Sequence, residues 1–307
     1  MRSDPRWASV AAALLLLAAC GGKDGGEGGG VPAPEEKTLF ILNWSDYIGE
    51  STIADFEAKT GIKVTYDVFD SNEVLETKLL AGRTGYDVVV PTAPFLERQI
   101  KAGVFLKLDK SKLPNLANMD PEILERTALH DPGNEHAITY LWGTVGIGYN
   151  PDMVKKALGT DTIDSWAAVL EPANAARLAK CGIAILDAPS DVFSTALIYV
   201  GRDPNSERVE DLAAAEEMLT KVRPYIKYFH SSSYINDLAS GEICVAIGWN
   251  GDMLQARDRG AEASTPVRVA YAIPCPARRE TRGWILDPVP LRPAGTAAAA
   301  VGAPSGA

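Results

Sequence analysis

Short apolar segments alternate with amphipathic segments along the chain from Thr38 onward. Compact apolar or alternating runs predict strands, and apolar positions spaced three and four residues apart predict helices. The predicted strands of the first half are 39–43, 62–68 and 87–90, and the predicted helices are 51–60, 70–79 and 94–102. This order predicts a mainly parallel sheet with helices on its faces, and therefore an α/β fold.

The second half of the chain continues the same alternation. It predicts strands at 182–186 and 244–248 and helices at 192–200 and 206–222. Ligands of open α/β sheets bind at the carboxyl ends of the strands. The segments 43–47, 91–94 and 249–252 fall at such ends, so we expect them to form the binding region.

The first twenty residues are expected to be an export signal rather than part of the fold. Arg2 and Arg6 precede a short apolar core at 10–17, which is too short to span a bilayer as a permanent helix. The segment ends in Leu-Ala-Ala-Cys, which resembles a lipoprotein processing box and predicts a lipid anchor on Cys20. The glycine-rich segment 21–37 is then a flexible tether.

Composition narrows the function of the remaining body, which is about 270 residues long and can bury a sizeable core. The formal net charge of −10 argues against nucleic acid as a partner and is compatible with a cationic ligand. If Cys20 is lipidated, Cys181, Cys244 and Cys275 remain. Of these, Cys181 and Cys244 lie in segments that are predicted to fold. We therefore expect them to pair in an oxidising compartment. Metal ligation is the competing interpretation, although there is no C-x-x-C spacing.

Aromatic and acidic side chains concentrate at the predicted strand ends. Trp44 and Tyr47 follow the first strand, Asp191 follows a strand of the second half, and Trp249 and Asp252 follow a late strand. Aromatic faces attract organic cations, and carboxylates accept charge-assisted hydrogen bonds from ammonium groups. The alternative is that the tryptophans belong to the core and the aspartates cap helices.

Several long segments carry a resemblance to a known family. They are NWSDYI (43–48), GIKVTYDVFDSNEVLETKLLAG (61–82), YDVVVPTAPFLERQ (86–99), LWGTVGIGYN (141–150) and YFHSSSYINDLASGEICVAIGWNGD (228–252). These look like the periplasmic polyamine-binding proteins of ABC importers, and the putrescine-binding branch is the most similar. The resemblance implies a two-lobed, type II-like periplasmic-binding-protein fold that closes on its ligand, with a first lobe at 38–142 and a second at 143–272.

The resemblance also implies a ligand set. Its aromatic box matches Trp44, Tyr47 and Trp249, its carboxylates match Asp46, Asp191 and Asp252, and its hydroxyl contacts match Ser45, Thr92 and Ser231. The family also pairs cysteines at positions matching Cys181 and Cys244. The implied protein captures putrescine or a related polyamine in the periplasm, as a membrane-anchored lipoprotein, and delivers it to permease subunits. The resemblance implies a protein that uses no cofactor or metal and catalyses no reaction.

The resemblance is expected to stop after Pro274, and 273–307 is interpreted as an aberrant tail rich in proline, alanine and glycine. A family member would continue with a strand returning to the first lobe, followed by several helices. The proline-, alanine- and glycine-rich composition of 273–307 disfavours helices and strands. A truncation, a frameshift or genuine divergence would explain this tail. Loss of the C-terminal part of the first lobe predicts weak polyamine binding or low stability.

Three alternatives remain at this point. The ligand could be spermidine, or the same fold could serve an extracytoplasmic sensor that reports polyamine to a membrane partner. His130, His136 and His230 lie near serines and aspartates, but no G-x-S-x-G elbow supports a hydrolase. His230 is expected to be a packed histidine among aromatic residues.

Overall fold

The computed structural model describes residues 36–274 and, for the backbone alone, the short segments 283–286 and 289–290. The predicted export signal, Cys20, most of the tether and Cys275 lie outside the described residues. The strands are β1 (Thr38–Trp44), β2 (Lys63–Phe69), β3 (Val88–Val89), β4 (Leu141–Tyr149), β5 (Ile183–Ile185), β6 (Tyr228–Phe229), β7 (Val245–Trp249), β8 (Ala270–Ala272), β9 (Gly283–Leu286) and β10 (Val289–Pro290).

Eleven α-helices lie within the described residues. They are α1 (Thr52–Thr60), α2 (Asn72–Ala81), α3 (Ala93–Lys101), α4 (Pro121–Thr127), α5 (Pro151–Leu158), α6 (Ala167–Leu170), α7 (Pro172–Leu178), α8 (Pro189–Tyr199), α9 (Val209–Val222), α10 (Ser233–Ser240) and α11 (Asn250–Glu262). Short 3₁₀ helices occupy Lys110–Lys112, Pro114–Asn118 and Arg223–Tyr225. None of the described helices combines the length and the apolar character needed to cross a membrane.

The first sheet has the strand order β10-β3-β1-β2. Strand β1 is parallel to both β2 and β3, as the first-half pattern predicts. The β1–β2 register places Trp44 beside Phe69, so the carboxyl ends of both strands meet at one edge of the sheet. The sequence predicts that Asp70 caps helix α2, but the cap is Ser71 and the helix begins at Asn72. The Ser71 side chain accepts a hydrogen bond from the backbone N–H of Val74.

The second sheet has the order β6-β5-β7-β4-β8, and β9 also pairs with β4. Strands β5, β6 and β7 are parallel, but β4 runs antiparallel to β7 and β8. The expected parallel arrangement therefore holds for β5, β6 and β7, whereas β4 runs against its neighbours. Sequence periodicity alone carries no information about the direction of a neighbouring strand.

The glycines of β4 serve close packing inside this sheet. A Cβ atom added at Gly146 would collide with the Tyr271 hydroxyl and lie 2.5 Å from the carbonyl oxygen of Ala272. A Cβ atom at Gly148 would collide with the thioether of Met253. Only glycine lets the neighbouring strand and helix approach β4 so closely.

The structure describes two short backbone segments of the segment interpreted as a tail. Strand β9 pairs antiparallel with Leu141–Thr144 of β4, and β10 pairs antiparallel with β3 of the first sheet. The chain therefore returns to the first sheet after Pro274, although the composition of the tail disfavours strands. These strands form through long-range pairing with existing edges, which local composition does not report.

Candidate functional site

The carboxyl end of β1 carries the first part of the site. The Trp44 indole N–H donates to the carbonyl oxygen of Val90 at 2.8 Å, which anchors the ring to the segment after β3. The Ser45 backbone N–H donates to the Phe69 carbonyl oxygen at 3.1 Å, so the chain stays attached to β2. Asp46 then adopts a left-handed backbone with φ of 63°, and this turn presents Tyr47 to the second sheet.

Two tryptophans meet where the strand ends of the two sheets face each other. The rings of Trp44 and Trp249 lie edge to face with centroids 5.2 Å apart, and each residue is only 3% exposed. Phe69 extends the cluster with its ring centroid 4.6 Å from that of Trp44. The Trp249 indole N–H donates to Asp191 Oδ2 at 3.1 Å, which joins a carboxylate of α8 to the aromatic cluster.

Asp252 is the most deeply buried carboxylate of the site and is 1% exposed. The Tyr47 hydroxyl donates to its Oδ1 at 2.7 Å from the end of β1, and the Tyr234 hydroxyl of α10 donates to its Oδ2. Burial raises the pKa of Asp252 to about 7, although the two tyrosine hydrogen bonds oppose that shift. Burial likewise raises the pKa of both tyrosines, so they remain hydrogen-bond donors. The site thus contains a carboxyl group that an incoming cation would ionise.

Asp46 lies at the rim of the site and is paired. Its Oδ1 accepts a hydrogen bond from Arg259 of α11 at 2.8 Å, and its backbone carbonyl oxygen accepts one from the Gln255 side chain at 3.1 Å. Arg259 also donates to Asn236 at 2.9 Å. Because the loop after β1 belongs to the first sheet and α11 follows β7 of the second, this ion pair bridges the two sheets. We call it the rim pair.

The two remaining hydroxyl residues are both buried. Thr92 lies at the start of α3, and its backbone N–H donates to Asn72 Oδ1 at 3.0 Å. Ser231 follows β6, and its buried Oγ has no hydrogen-bond partner among the described residues. A buried hydroxyl without a partner costs free energy, which a ligand donor or acceptor would offset.

Five of the nine residues expected at the site make direct contacts in two groups, which are Trp44, Trp249 and Asp191, and Tyr47 with Asp252. The Tyr234 hydroxyl connects the two groups, because it donates to Asp252 and accepts from the Trp249 backbone N–H. Sequence reasoning missed Tyr234 and Arg259, which hold Asp252 and Asp46 respectively. Tyr234 lies three residues after Ser231 within the segment 228–252 that carries the family resemblance, so its position beside a ligand residue could have marked it. No local signal marks Arg259.

The expected disulfide is present. Cys181 and Cys244 are bonded, with their Cα atoms 5.4 Å apart. The bond joins the connection between α7 and β5 to the residue before β7, the strand that ends at Trp249.

The three histidines are placed apart from this cluster. His130 Nδ1 lies 2.9 Å from Glu97, and His136 Nδ1 lies 2.9 Å from Asp131. His230 is not packed in a core as expected, because its side chain is 43% exposed. Its Nδ1 accepts hydrogen bonds from the backbone N–H groups of Ser232 and Ser233, at 3.1 Å each, and so caps α10.

Comparison with known proteins agrees with this geometry. The profile of the bacterial extracellular solute-binding protein family matches residues 51–304, which extends beyond Pro274. The chain is 58% identical over 247 residues to the putrescine-binding periplasmic protein PotF of Escherichia coli K12, covering 80% of this chain and 67% of PotF. It is 52% identical over 268 residues to the putrescine-binding periplasmic protein SpuD of Pseudomonas aeruginosa, covering 87% and 72%.

Solved structures show the same fold. A putative spermidine/putrescine ABC transporter protein from Listeria monocytogenes superposes with a TM-score of 0.71 at 30% identity, covering 83% of this chain and 73% of that one. The TpPotD lipoprotein of Treponema pallidum superposes with a TM-score of 0.69 at 26% identity, covering 83% and 75%.

Proposed function

The chain belongs to the bacterial extracellular solute-binding protein family, and on that premise we propose that it is the putrescine-binding component of a polyamine ABC importer. The observation that carries this proposal is the meeting of Trp44 and Trp249 beside two carboxylates. Asp191 accepts from the Trp249 indole, and Asp252 is linked to the Trp249 backbone through the Tyr234 hydroxyl. A linear diamine has two ammonium groups separated by an apolar chain. This arrangement offers carboxylates for the ammonium groups and aromatic faces for the chain.

The remaining ligand residues follow from the same proposal. Ser231 and Thr92 supply hydroxyl groups, Ser45 and Asp46 shape the turn that presents Tyr47, and Tyr47 shares Asp252 with the bound ammonium group. The lobes at 38–142 and 143–272 close around the ligand, and the rim pair holds the closed arrangement. PotF and SpuD, which bind putrescine by name, support this choice of ligand.

The protein acts outside the cytoplasm, as its periplasmic relatives do, and passes the ligand to permease subunits. We further propose that Cys20 carries a lipid, since TpPotD is a lipoprotein and the Leu-Ala-Ala-Cys box precedes the tether. Replacing Cys20 with alanine is expected to move the exported protein from the membrane fraction to the soluble fraction. Retention of the Cys20→Ala protein in the membrane would contradict the anchor.

Calorimetric titration of the full chain tests the ligand. Putrescine is expected to bind, whereas 1,4-butanediol, which has the same chain length without charge, is not. Asp191→Asn is expected to weaken putrescine binding, and Asp258→Asn is the matched control because Asp258 is exposed and pairs with its neighbour Arg257. Equal binding of butanediol and putrescine would refute a cation site. Tighter binding of spermidine than of putrescine would reassign the ligand within the same class.

A further inference from the structure

One cavity is lined by residues that are not among those expected to bind putrescine. Helices α8 and α9 border a partly open space of about 560 Å³ at the carboxyl end of β5. Val192 and Phe193 of α8 line it, and Leu219 and Val222 of α9 face them. Pockets that bind small organic ligands typically have volumes of about 300–1,000 Å³, so this space is large enough for one. We call it the helix-pair cavity.

The walls of the helix-pair cavity are apolar and already buried. Val192 is 9% exposed, Val222 1% and Ile226 5%, yet all three border the open space. Water in contact with such walls lacks hydrogen-bond partners, so an apolar group that replaces it gains free energy in proportion to the covered area.

The rim of the cavity is polar and predominantly acidic. Glu216 lies one helical turn before Leu219 and Thr220 on the same face of α9, and Asp187 follows β5 at the opposite side. Within the described part of the chain, neither carboxylate takes part in a hydrogen bond or ion pair. The cation at the rim, Arg223, has its guanidinium 5.1 Å from the ring centroid of Phe229. An apolar floor below two unengaged carboxylates matches a molecule with one apolar chain and one ammonium group.

The helix-pair cavity shares two segments with the aromatic site. Asp187 and Pro189 line the cavity, and the same turn leads into α8 and Asp191. Phe229 lines it as well and lies two residues before Ser231. An occupant would therefore lie beside the backbone that positions Asp191 and Ser231, two residues expected to bind putrescine.

We propose that the helix-pair cavity is a binding site for an amphiphilic monoamine, separate from the diamine site. The test uses the full chain with labelled methyl groups and three probes of equal chain length: n-octylamine, n-octanol and octanoate. Octylamine is expected to shift the methyl resonances of Val192, Leu219 and Ile226 and to bind about fivefold more tightly than octanol, as one solvent-exposed charge contact allows. Octanoate is expected to bind most weakly.

Two variants with matched controls locate the probe. Leu219→Trp is expected to fill the cavity and abolish octylamine binding, whereas Leu212→Trp, two turns earlier on α9, is expected to retain it. Glu216→Gln is expected to remove the preference for octylamine over octanol. Glu217→Gln is expected to keep that preference, because Glu217 pairs with Lys221 instead. Thermal unfolding of each variant verifies that it folds.

The outcomes separate this proposal from the proposed transport function. Shifts of the Trp44 and Trp249 indole signals without shifts at Val192 and Leu219 would mean that octylamine occupies the diamine site only, and would overturn the proposal. Octanoate binding as tightly as octylamine would overturn the charge assignment. Putrescine binding at the aromatic site is measured independently and is unaffected by either result.

Discussion

Protonation of Asp252 is expected to govern how putrescine binding depends on pH. The carboxyl group is buried between Tyr47 and Tyr234, and burial raises its pKa to about 7. The ammonium groups of a diamine stay charged well above that pH, since alkyl ammonium groups have pKa values of about 10. A bound ammonium group favours the ionised carboxylate, so binding must release a proton wherever Asp252 begins protonated.

The magnitude follows from linkage between the two equilibria. If only the ionised form binds, Kd at about pH 6 is roughly tenfold higher than at about pH 8, and binding near pH 6 releases about nine-tenths of a proton. The sign for folding is the opposite one. Because the folded pKa lies above the unfolded value, the contribution of Asp252 to the free energy of unfolding of the free protein falls as pH rises from about 4 to about 7.

Calorimetric titration at about pH 6 and pH 8, in two buffers of different ionisation enthalpy, measures both the affinity and the released protons. Asp252→Asn is expected to weaken binding and to remove both effects, whereas Asp258→Asn retains them. His230 directly precedes Ser231 and its Nε2 lies 4.0 Å from Asp70 Oδ2, so His230→Asn serves as a second control. A pH-independent Kd, or a proton release that persists in Asp252→Asn, would refute the reasoning.

Three further predictions concern the frame around the site. Replacing Cys181 and Cys244 with serine removes a crosslink that spans 63 residues. The free energy of unfolding is expected to fall by about 4 kcal/mol in a denaturant titration. A reductant should then have no further effect on the variant, and an unchanged unfolding midpoint would contradict the expected loss. Arg259→Gln breaks the rim pair, whose two side chains are partly exposed. The free energy of unfolding is therefore expected to change by less than about 1 kcal/mol, while putrescine dissociates faster in stopped-flow measurements. An unchanged dissociation rate would mean that the rim pair does not hold the closed arrangement. Gly146→Ala places a methyl group against β8 and is expected to cost about 1–3 kcal/mol of stability by thermal unfolding, and a variant as stable as the original would mean that β4 and β8 separate easily.

Much of the first sheet could be predicted from the sequence, because its strands and helices have a strong local signal. The apolar run of β1 follows from periodicity, and the stop of α1 follows from Gly61. The parallel β1–β2 pairing follows from the helix that connects the two strands. The boundaries shift by a residue or two where two caps compete, as Ser71 and Asp70 do. The antiparallel placement of β4 and the strands β9 and β10 could not be predicted, since they depend on edges formed elsewhere in the chain.

The site divides in the same way. The aromatic and acidic residues could be assigned to the binding region because they follow the carboxyl ends of predicted strands, where open α/β sheets bind ligands. The partners of the carboxylates could not. Asp46 and Arg259 are 213 positions apart, and their contact depends on how α11 meets the loop after β1. The deep burial that shifts the pKa of Asp252 depends equally on the meeting of Tyr47 and Tyr234 from different elements.

The disulfide has a topological consequence for proteolysis. Cys181 and Cys244 close a covalent ring that contains α8, α9 and α10 together with Asp191, Ser231 and Tyr234. Exposed residues between α8 and α9, such as Arg202 and Glu207, offer a protease a place to cut inside this ring. A single cut there leaves both pieces of the polypeptide bonded to each other, with the ligand residues still attached. Only a reductant would let the two pieces separate, so in an oxidising compartment one nick does not dismantle the receptor.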